Sequence, residues 1–140
     1  IACQTAALNQ FYRKGKTMQF FKCEVCGKII CVIEESMAPT VCCGKPMTEL
    51  RPGTTDAATE KHIPAYKIEG NTCYVTVGSV LHPMTPEHSI KFICIETNKG
   101  YQIKYLRPTD EPKAEFALSA DEKIEAVYEY CNLHGLWKAE

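Results

Sequence analysis

The sequence has little net charge and no long apolar run. Seventeen acidic residues nearly balance sixteen basic ones, so no strong electric field toward a nucleic acid or an anionic membrane is expected. No apolar run approaches the ~20 residues that a membrane-spanning helix needs. We therefore expect a soluble protein whose partners include neither nucleic acid nor membrane.

Cysteine is abundant, but the set lacks the features of a disulfide framework. The chain has nine cysteines, an odd number, and two of them, Cys42 and Cys43, are adjacent. A secreted disulfide scaffold favours an even number of cysteines at separated positions. Metal ligation in a reducing cytoplasm is the better interpretation.

Residues 1–17 lack both a helical and a strand period, and they end in a basic patch before Met18. We expect Met18 to be the natural first residue and residues 1–17 to be a disordered N-terminal extension. Cys3 falls in this extension and is expected to bind no metal.

Two cysteine pairs dominate residues 18–54. They are Cys23 and Cys26 in a Cys-x-x-Cys motif and, after fifteen intervening residues, Cys42 and Cys43. Short strand-like runs at 19–24, 28–34 and 40–42 surround them. A stretch of this size rarely builds a sufficient core, so a metal bound by the four thiolates is expected to hold it together. Four thiolates suit zinc as well as iron, which leaves a zinc ribbon open, although adjacent ligands are unusual there.

The segment 51–56 is rich in turn formers and predicts a hinge. Beyond it, strand-like runs occur at 65–69, 72–77, 89–97, 101–106, 114–118 and 123–130. Six or seven short strands without a convincing helix predict an all-β antiparallel sandwich. In the last run Ile124, Ala126, Tyr128 and Tyr130 alternate with Glu125 and Glu129, which predicts one apolar face and one face with the glutamates.

The histidines form the second candidate site. The four are His62, His82, His88 and His134, and each lies beside a proline, a glycine or a predicted strand end. His134 also follows Cys131 in a Cys-x-x-His motif, close enough for both side chains to bind one ion. A single histidine in a β protein is more often a hydrogen-bonded residue than a ligand, but here that explanation must hold four times. Imidazoles with a thiolate suit iron, copper or zinc better than magnesium or calcium.

The motifs in this order resemble the superoxide reductase family. They are Glu60-Lys61-His62-Ile63-Pro64, His82-Pro83-Met84, Glu87-His88-Ser89-Ile90 and Cys131-Asn132-Leu133-His134-Gly135-Leu136-Trp137. Together with the cysteine pairs, they resemble the two-iron form of that family, desulfoferrodoxin, from Met18 to the C-terminus.

The resemblance implies a desulforedoxin-like iron domain over residues 18–54 and an immunoglobulin-like, neelaredoxin-like β-sandwich over residues 55–140. It implies two iron ions per chain. One is held tetrahedrally by Cys23, Cys26, Cys42 and Cys43, and the other by His62, His82, His88 and His134 in a plane with Cys131 axial.

The implied activity is the one-electron reduction of superoxide to hydrogen peroxide, which detoxifies superoxide in an anaerobic or microaerophilic prokaryote. The resemblance also implies a rubredoxin-like electron donor and a homodimer. Glu60 is implied to occupy the sixth iron position in the oxidised state, and Lys61 to attract superoxide.

Two other classes fit parts of the sequence. A cupredoxin-like electron carrier also places Cys-x-x-His on a β-sandwich, but it needs a methionine after these ligands and uses two histidines. The last methionine is Met84. A zinc-stabilised binding module is the second alternative. Cys31, Cys73 and Cys94 fall in apolar strand-like runs and are expected to act as small apolar residues.

Overall fold

The structure, a computed structural model, describes residues 18–55 and 57–140. The chain divides into two compact units, Ile1–Leu50 and Arg51–Glu140. The predicted extension over residues 1–17 and Cys3 within it lie outside the described residues. No helix of the described residues is long and apolar enough to cross a membrane.

The first unit is built from five short strands. They are β1 (Gln19–Lys22), β2 (Ile29–Val32), β3 (Val41–Cys42), β4 (Lys45–Pro46) and β5 (Thr48–Leu50). β1 lies between β2 and β5 in an antiparallel sheet, and β3 pairs with β4. The buried apolar side chains of its described residues are Met18, Phe20, Cys23 and Met47. The two pairs of ligating candidates therefore lie on turns around a very small core.

The second unit is an antiparallel β-sandwich preceded by one short helix. Its elements are α1 (Thr59–His62), β6 (Pro64–Glu69), β7 (Thr72–Val77), β8 (Ile90–Thr97), β9 (Gly100–Tyr105), β10 (Lys113–Ala117), β11 (Ile124–Cys131) and β12 (Gly135–Ala139). One sheet has the order β10-β7-β6 and the other the order β12-β11-β8-β9. Buried branched and aromatic side chains, among them Val75, Ile93, Ile95, Phe116 and Val127, form one core cluster.

The prediction of an all-β protein with a β-sandwich is confirmed. The sequence missed three strands, β4, β5 and β12, because each is short and the first two lie among turn residues around the cysteines. It also missed α1, whose four residues are too few for a helical period to be recognised.

The predicted alternation of β11 is wrong at Glu129. Its side chain is fully buried, whereas Glu125 is exposed. A register shift between Ile124 and Ala126 in the pairing of β11 with β8 makes Glu125 a bulge. Beyond the bulge, β11 lies between β8 and β12 and is buried from Ala126 to Cys131. The glutamate therefore occupies an interior position despite its charge.

Candidate metal centres

The structure brings the two cysteine pairs of the first unit together. The sulfurs of Cys23, Cys26, Cys42 and Cys43 all lie within 4.8 Å of one another. Cys26 Sγ is 3.7 Å from Cys42 Sγ, which is 3.9 Å from Cys43 Sγ. A tetrahedral ion with metal–sulfur bonds of about 2.3 Å places its ligands about 3.8 Å apart. The sulfur spacing thus fits one tetrahedral ion.

The backbone at this cluster favours thiolates unequally. The Cys26 N–H points at Cys23 Sγ at 3.5 Å, and this bond is the main reason that the pKa of Cys23 falls to about 6. Hydrogen bonding with the Cys26 side chain is the largest of several effects that raise the pKa of Cys43 to about 12. Four thiolates at this spacing need a cation to be stable together.

The backbone turn at the second cysteine pair is tight. Cys43 has φ of +52°, the only positive value for a non-glycine among the described residues, and Gly44 follows at +74°. Left-handed backbone is costly for a residue with a Cβ. The chain adopts it here, and the sharp bend brings the sulfurs of two adjacent cysteines to the same group.

The four histidines of the second unit form a closed ring of imidazoles. Adjacent ring centroids are 4.7 Å apart for His62 and His82, 4.6 Å for His82 and His88, 5.0 Å for His88 and His134, and 4.8 Å for His134 and His62. Each adjacent pair is close to perpendicular, with interplanar angles from 77° to 89°. Around one ion, this order would place His62 opposite His88 and His82 opposite His134.

The nitrogens that face the centre of this ring are lone-pair donors. His62 Nδ1 is 2.8 Å from the Ala58 carbonyl and His82 Nδ1 is 2.7 Å from the Pro83 carbonyl. Each Nδ1–H donates to that carbonyl, so the Nε2 atoms carry lone pairs. These two Nε2 atoms lie 3.2 Å apart, and His62 Nε2 is 3.1 Å from His134 Nδ1. A square of ligands with metal–nitrogen bonds of about 2.1 Å has edges of about 3.0 Å. A shared cation explains why lone pairs face one another.

Burial favours the neutral form of three of the imidazoles, those of His62, His82 and His88. Desolvation is the main cause that lowers the pKa of His82 to about 4, and it also lowers the pKa values of His62 and His88. His88 Nε2 is buried without a hydrogen-bond partner among the described residues. Neutral rings are the form in which histidine binds a metal.

Cys131 supplies a sulfur to the same group. Its side chain is fully buried at the end of β11 and lies within 4.8 Å of the four histidine nitrogens. Burial raises the pKa of the thiol, although the backbone N–H groups of Leu133 and His134 partly oppose this effect. A bound cation is what would make the thiolate the stable form.

Trp137 covers the ring on one side. Its indole is stacked on His62 with centroids 5.0 Å apart, and its Nε1–H donates to the His134 carbonyl at 3.0 Å. The carbonyl of His134 and the face of His62 are therefore fixed by the same side chain.

Helix α1 presents Glu60 and Lys61 beside the ring. Both side chains are exposed, and His62 at the end of the helix is buried. The largest effects on the pKa of His62 are burial, the hydrogen bond to Ala58 and the nearby His134. Smaller effects come from the two charges of the helix, since Lys61 lowers this pKa and Glu60 raises it. The Glu60 carbonyl accepts the Val80 N–H at 3.1 Å and the Ser79 hydroxyl at 3.2 Å. The helix is thus held by the turn that follows β7.

The remaining cysteines are apart from both groups. Cys73 and Cys94 are fully buried in β7 and β8, and Cys31 is half-buried in β2. Within the described residues, none of the three belongs to a cluster that could hold a metal. The sequence reasoning assigned no role to Asn132, whose hydrogen bonds join two ligand segments, or to the buried Glu129.

Two family models match the chain. The model described as Desulfoferrodoxin matches residues 54–140, and the model described as Desulfoferrodoxin, N-terminal domain, matches residues 15–50. A desulfoferrodoxin homolog of Archaeoglobus fulgidus is 44% identical over 124 residues, which are 89% of this chain and 98% of the relative. The desulfoferrodoxin of Nitratidesulfovibrio vulgaris is 44% identical over 122 residues, covering 87% of this chain and 95% of the relative.

A solved structure extends this likeness to three dimensions. The crystal structure of the superoxide reductase from Treponema pallidum superposes with a TM-score of 0.77 at 38% identity, covering 89% of this chain and 100% of that chain. Both units have a matching family model, and the relatives are matched over nearly their whole length. The chain therefore belongs to the desulfoferrodoxin family.

Proposed function

We propose that this chain is a superoxide reductase that detoxifies superoxide at an iron ion held by His62, His82, His88, His134 and Cys131. The observation that carries the proposal is the closed ring of four imidazoles with one buried sulfur beside it. Five such donors leave one position of an octahedron for a small ligand. The likeness to the Treponema pallidum superoxide reductase supports the same activity.

Iron in this site supplies one electron to superoxide, which takes up two protons and becomes hydrogen peroxide. The residues of the chain set the conditions for that step. Neutral imidazoles would leave positive charge at the bound ion, and the Cys131 thiolate would donate electron density to it. We assign Lys61 to the attraction of the superoxide anion and Glu60 to reversible occupation of the sixth position in the oxidised state.

We propose that the four cysteines of the first unit hold a second iron ion. Their sulfur spacing fits a tetrahedral ion, and the N-terminal family model matches this unit. Zinc would fit the same spacing, so metal analysis and the visible spectrum decide between them. We also propose that the boundary between the two domains lies between residues 54 and 55.

The ligand count argues against a cupredoxin-like electron carrier. Such a site uses two histidines, whereas four converge here. Met84 does not take the axial place, because its sulfur accepts the Ile90 N–H at 3.4 Å and its side chain packs against the core.

An external donor must restore the reduced iron after each turnover, and we propose a rubredoxin-like protein. Exposed apolar side chains directly follow or precede three of the ligands. They are Ile63, Leu81 and Leu133, which are 43%, 55% and 58% exposed. Apolar contact beside the ligands would bring a donor close to the site.

We further propose a homodimer and a cytoplasmic location. Ile103 and Tyr105 are 40% and 85% exposed on β9, one of the two edge strands of the four-stranded sheet, which suits contact with a second copy. No disulfide joins the cysteines of the described residues, in keeping with a reducing compartment.

The activity is tested by product stoichiometry. The iron-loaded, pre-reduced protein is mixed with superoxide, and hydrogen peroxide, dioxygen and oxidised iron are measured. A reductase forms one hydrogen peroxide per superoxide, oxidises one iron and releases no dioxygen. Release of dioxygen would indicate dismutation, and unchanged superoxide decay would remove the proposal.

A further inference from the structure

Asn132 makes three hydrogen bonds to the segment that carries His88. It directly follows β11, and its backbone N–H donates to the Ser89 carbonyl at 3.2 Å. Its Oδ1 accepts the Ser89 N–H at 2.9 Å, and its Nδ2 donates to the Glu87 carbonyl at 2.9 Å. We call this three-bond arrangement the asparagine clamp. It brackets His88 from both sides in sequence.

The opposite end of the β8–β11 pair carries the same clamp. Asn98 directly follows β8, and its backbone N–H donates to the Lys123 carbonyl at 3.1 Å. Its Oδ1 accepts the Lys123 N–H at 2.8 Å, and its Nδ2 donates to the Asp121 carbonyl at 3.0 Å. This second clamp brackets Glu122 as the first brackets His88.

The strands repeat this correspondence. In each strand the residue after the first one is skipped in the pairing, Lys91 in β8 and Glu125 in β11. The two ends of the strand pair are thus related by an approximate two-fold arrangement. In this arrangement Thr97 corresponds to Cys131, since each directly precedes a clamp asparagine.

The metal-free end shows what the clamp achieves. Thr97 Oγ1 donates to Glu122 Oε2 at 2.7 Å, so the residue before the asparagine touches the residue that is bracketed. At the other end the corresponding side chains are Cys131 and His88, and both belong to the His₄Cys group. The clamp therefore brings two side chains together, by a direct hydrogen bond at one end and within the His₄Cys group at the other.

His88 depends on this support more than His62 and His82 do. His62 and His82 are oriented by ring bonds to backbone carbonyls. Within the part of the chain that the structure describes, His88 Nε2 has no partner, and no ring hydrogen bond of His88 is seen. Its backbone is instead bonded to Thr85, with the His88 N–H 3.0 Å from Thr85 Oγ1. The position of the His88 ring therefore follows its backbone.

Resting on the proposed function, we propose that Asn132 is a positioning residue that sets His88 relative to the Cys131 sulfur. It touches neither the metal position nor superoxide. Without the side chain, the Glu87–Ser89 segment keeps the single backbone bond to Asn132 and its bonds to Thr85. His88 then samples other positions, the iron–ligand geometry relaxes, and iron leaves faster.

Asn132→Ala is compared with Asn98→Ala in the full-length, iron-loaded protein. Each variant deletes a side chain that makes the same two bonds to backbone, but only one lies at the metal. We expect Asn132→Ala to shift the visible absorption of the oxidised His₄Cys iron and to speed its transfer to a chelator by about tenfold or more. We expect Asn98→Ala to leave the spectrum unchanged and iron transfer within about twofold of wild type, a spread on the order of ordinary surface effects.

Asn132→Asp and Asn98→Asp provide a second pair in case the alanine variant folds poorly. The aspartate keeps the acceptor for the Ser89 N–H and loses the donor to the Glu87 carbonyl, so an intermediate rate of iron transfer is expected. Equal spectral and transfer effects at both asparagines, or none at Asn132, would overturn the proposal. These readouts do not depend on superoxide turnover, so the proposed function can fail while this contrast stands, and the reverse.

Discussion

The two metal groups of this chain differ in what surrounds them. The cysteines of the first unit lie on turns, two of them exposed, around a core of a few side chains. The His₄Cys group lies at the end of a sandwich with its own apolar core, and three of its five members are buried. A metal at the first group supplies stability that the small unit lacks, whereas the second fold holds its ligands for chemistry.

The supporting contacts show the same contrast. Around the cysteines, hydrogen bonds to sulfur come from the cysteine motifs themselves, such as the bond from the Cys26 N–H to Cys23 Sγ. Around the histidines, support comes from side chains and carbonyls distant in sequence, such as Trp137 and Asn132. We therefore expect the cysteine group to depend on its metal for its shape more than the His₄Cys group does.

Removal of the Cys₄ metal is expected to have the largest effect. In Cys42→Ser the tetrahedral site loses a ligand, so residues 18–50 should lose their ordered structure while the sandwich remains folded. Hydrogen exchange on each unit measures this, with Cys31→Ser as a control that removes a sulfur outside the site. If residues 18–50 of Cys42→Ser kept their protection against hydrogen exchange, the first unit would not depend on its metal for stability.

Glu129→Gln tests how much charge the sandwich tolerates in its interior. Burial raises the pKa of Glu129 to about 9, well above its usual value of about 4.3. Between these two values the unfolded chain releases a proton that the folded chain keeps, so stability falls as pH rises. The variant lacks this titration. Its free energy of unfolding minus that of wild type should therefore rise by up to about 1.4 kcal/mol per pH unit in that window.

The control for this measurement is Glu125→Gln, which alters an exposed glutamate on the same strand. Denaturant unfolding of both iron-loaded variants from pH 5 to pH 9 gives the comparison. Parallel pH profiles for wild type and Glu129→Gln would show that Glu129 is ionised inside the folded protein.

Gly78→Ala tests whether the turn after β7 holds helix α1. Gly78 has φ of +82°, and a Cβ there would clash with the Val80 carbonyl oxygen in the turn and would lie 2.7 Å from the Glu60 carbonyl oxygen and 2.8 Å from the Lys61 carbonyl carbon in α1. We expect the free energy of unfolding to fall by about 2 to 3 kcal/mol, of which about 1 to 2 kcal/mol comes from left-handed backbone strain.

Gly70→Ala is the matched control, because Gly70 has φ of +61° and nothing within 4 Å of an added Cβ. It should show the backbone strain alone. Thermal unfolding of both variants measures the difference, and equal losses would mean that the turn yields without disturbing α1.

The sequence predicted the parts of the molecule that depend on local pattern. Strand-like runs located β7 and β8, and ordered motifs pointed to two groups of side chains that the structure brings together. Burial of Glu129 was not predictable from alternation, because both faces of β11 are buried from Ala126 to Cys131. The clamp by Asn132 escaped notice for a similar reason, since its partners lie 43 and 45 residues away.

The smallest effects are expected at Lys61 and Glu60. If Lys61 attracts superoxide as proposed, its screened ammonium would contribute on the order of 1 kcal/mol, which is about tenfold or less in the second-order rate. Lys61→Ala should slow the encounter by that order and weaken its dependence on ionic strength, with the iron spectrum unchanged. Glu60→Ala should shift the oxidised spectrum and leave the encounter rate unchanged.

Pulse radiolysis of the two reduced variants at low and high salt separates these effects. If the Lys61→Ala rate equalled the wild-type rate at both salt concentrations, Glu60 and Lys61 would be ordinary solvated residues of α1.

The most direct test of the whole account is the superoxide rate of two cysteine variants, each pre-reduced and measured by pulse radiolysis. Cys42→Ser damages the group that holds the first unit together and should keep the wild-type rate at the His₄Cys iron. Cys131→Ser removes the buried sulfur of the second group and should lose both its iron and the reaction, although the sandwich stays folded. Loss of the rate in Cys42→Ser, or its survival in Cys131→Ser, would contradict the separation of a stabilising centre from a reactive one.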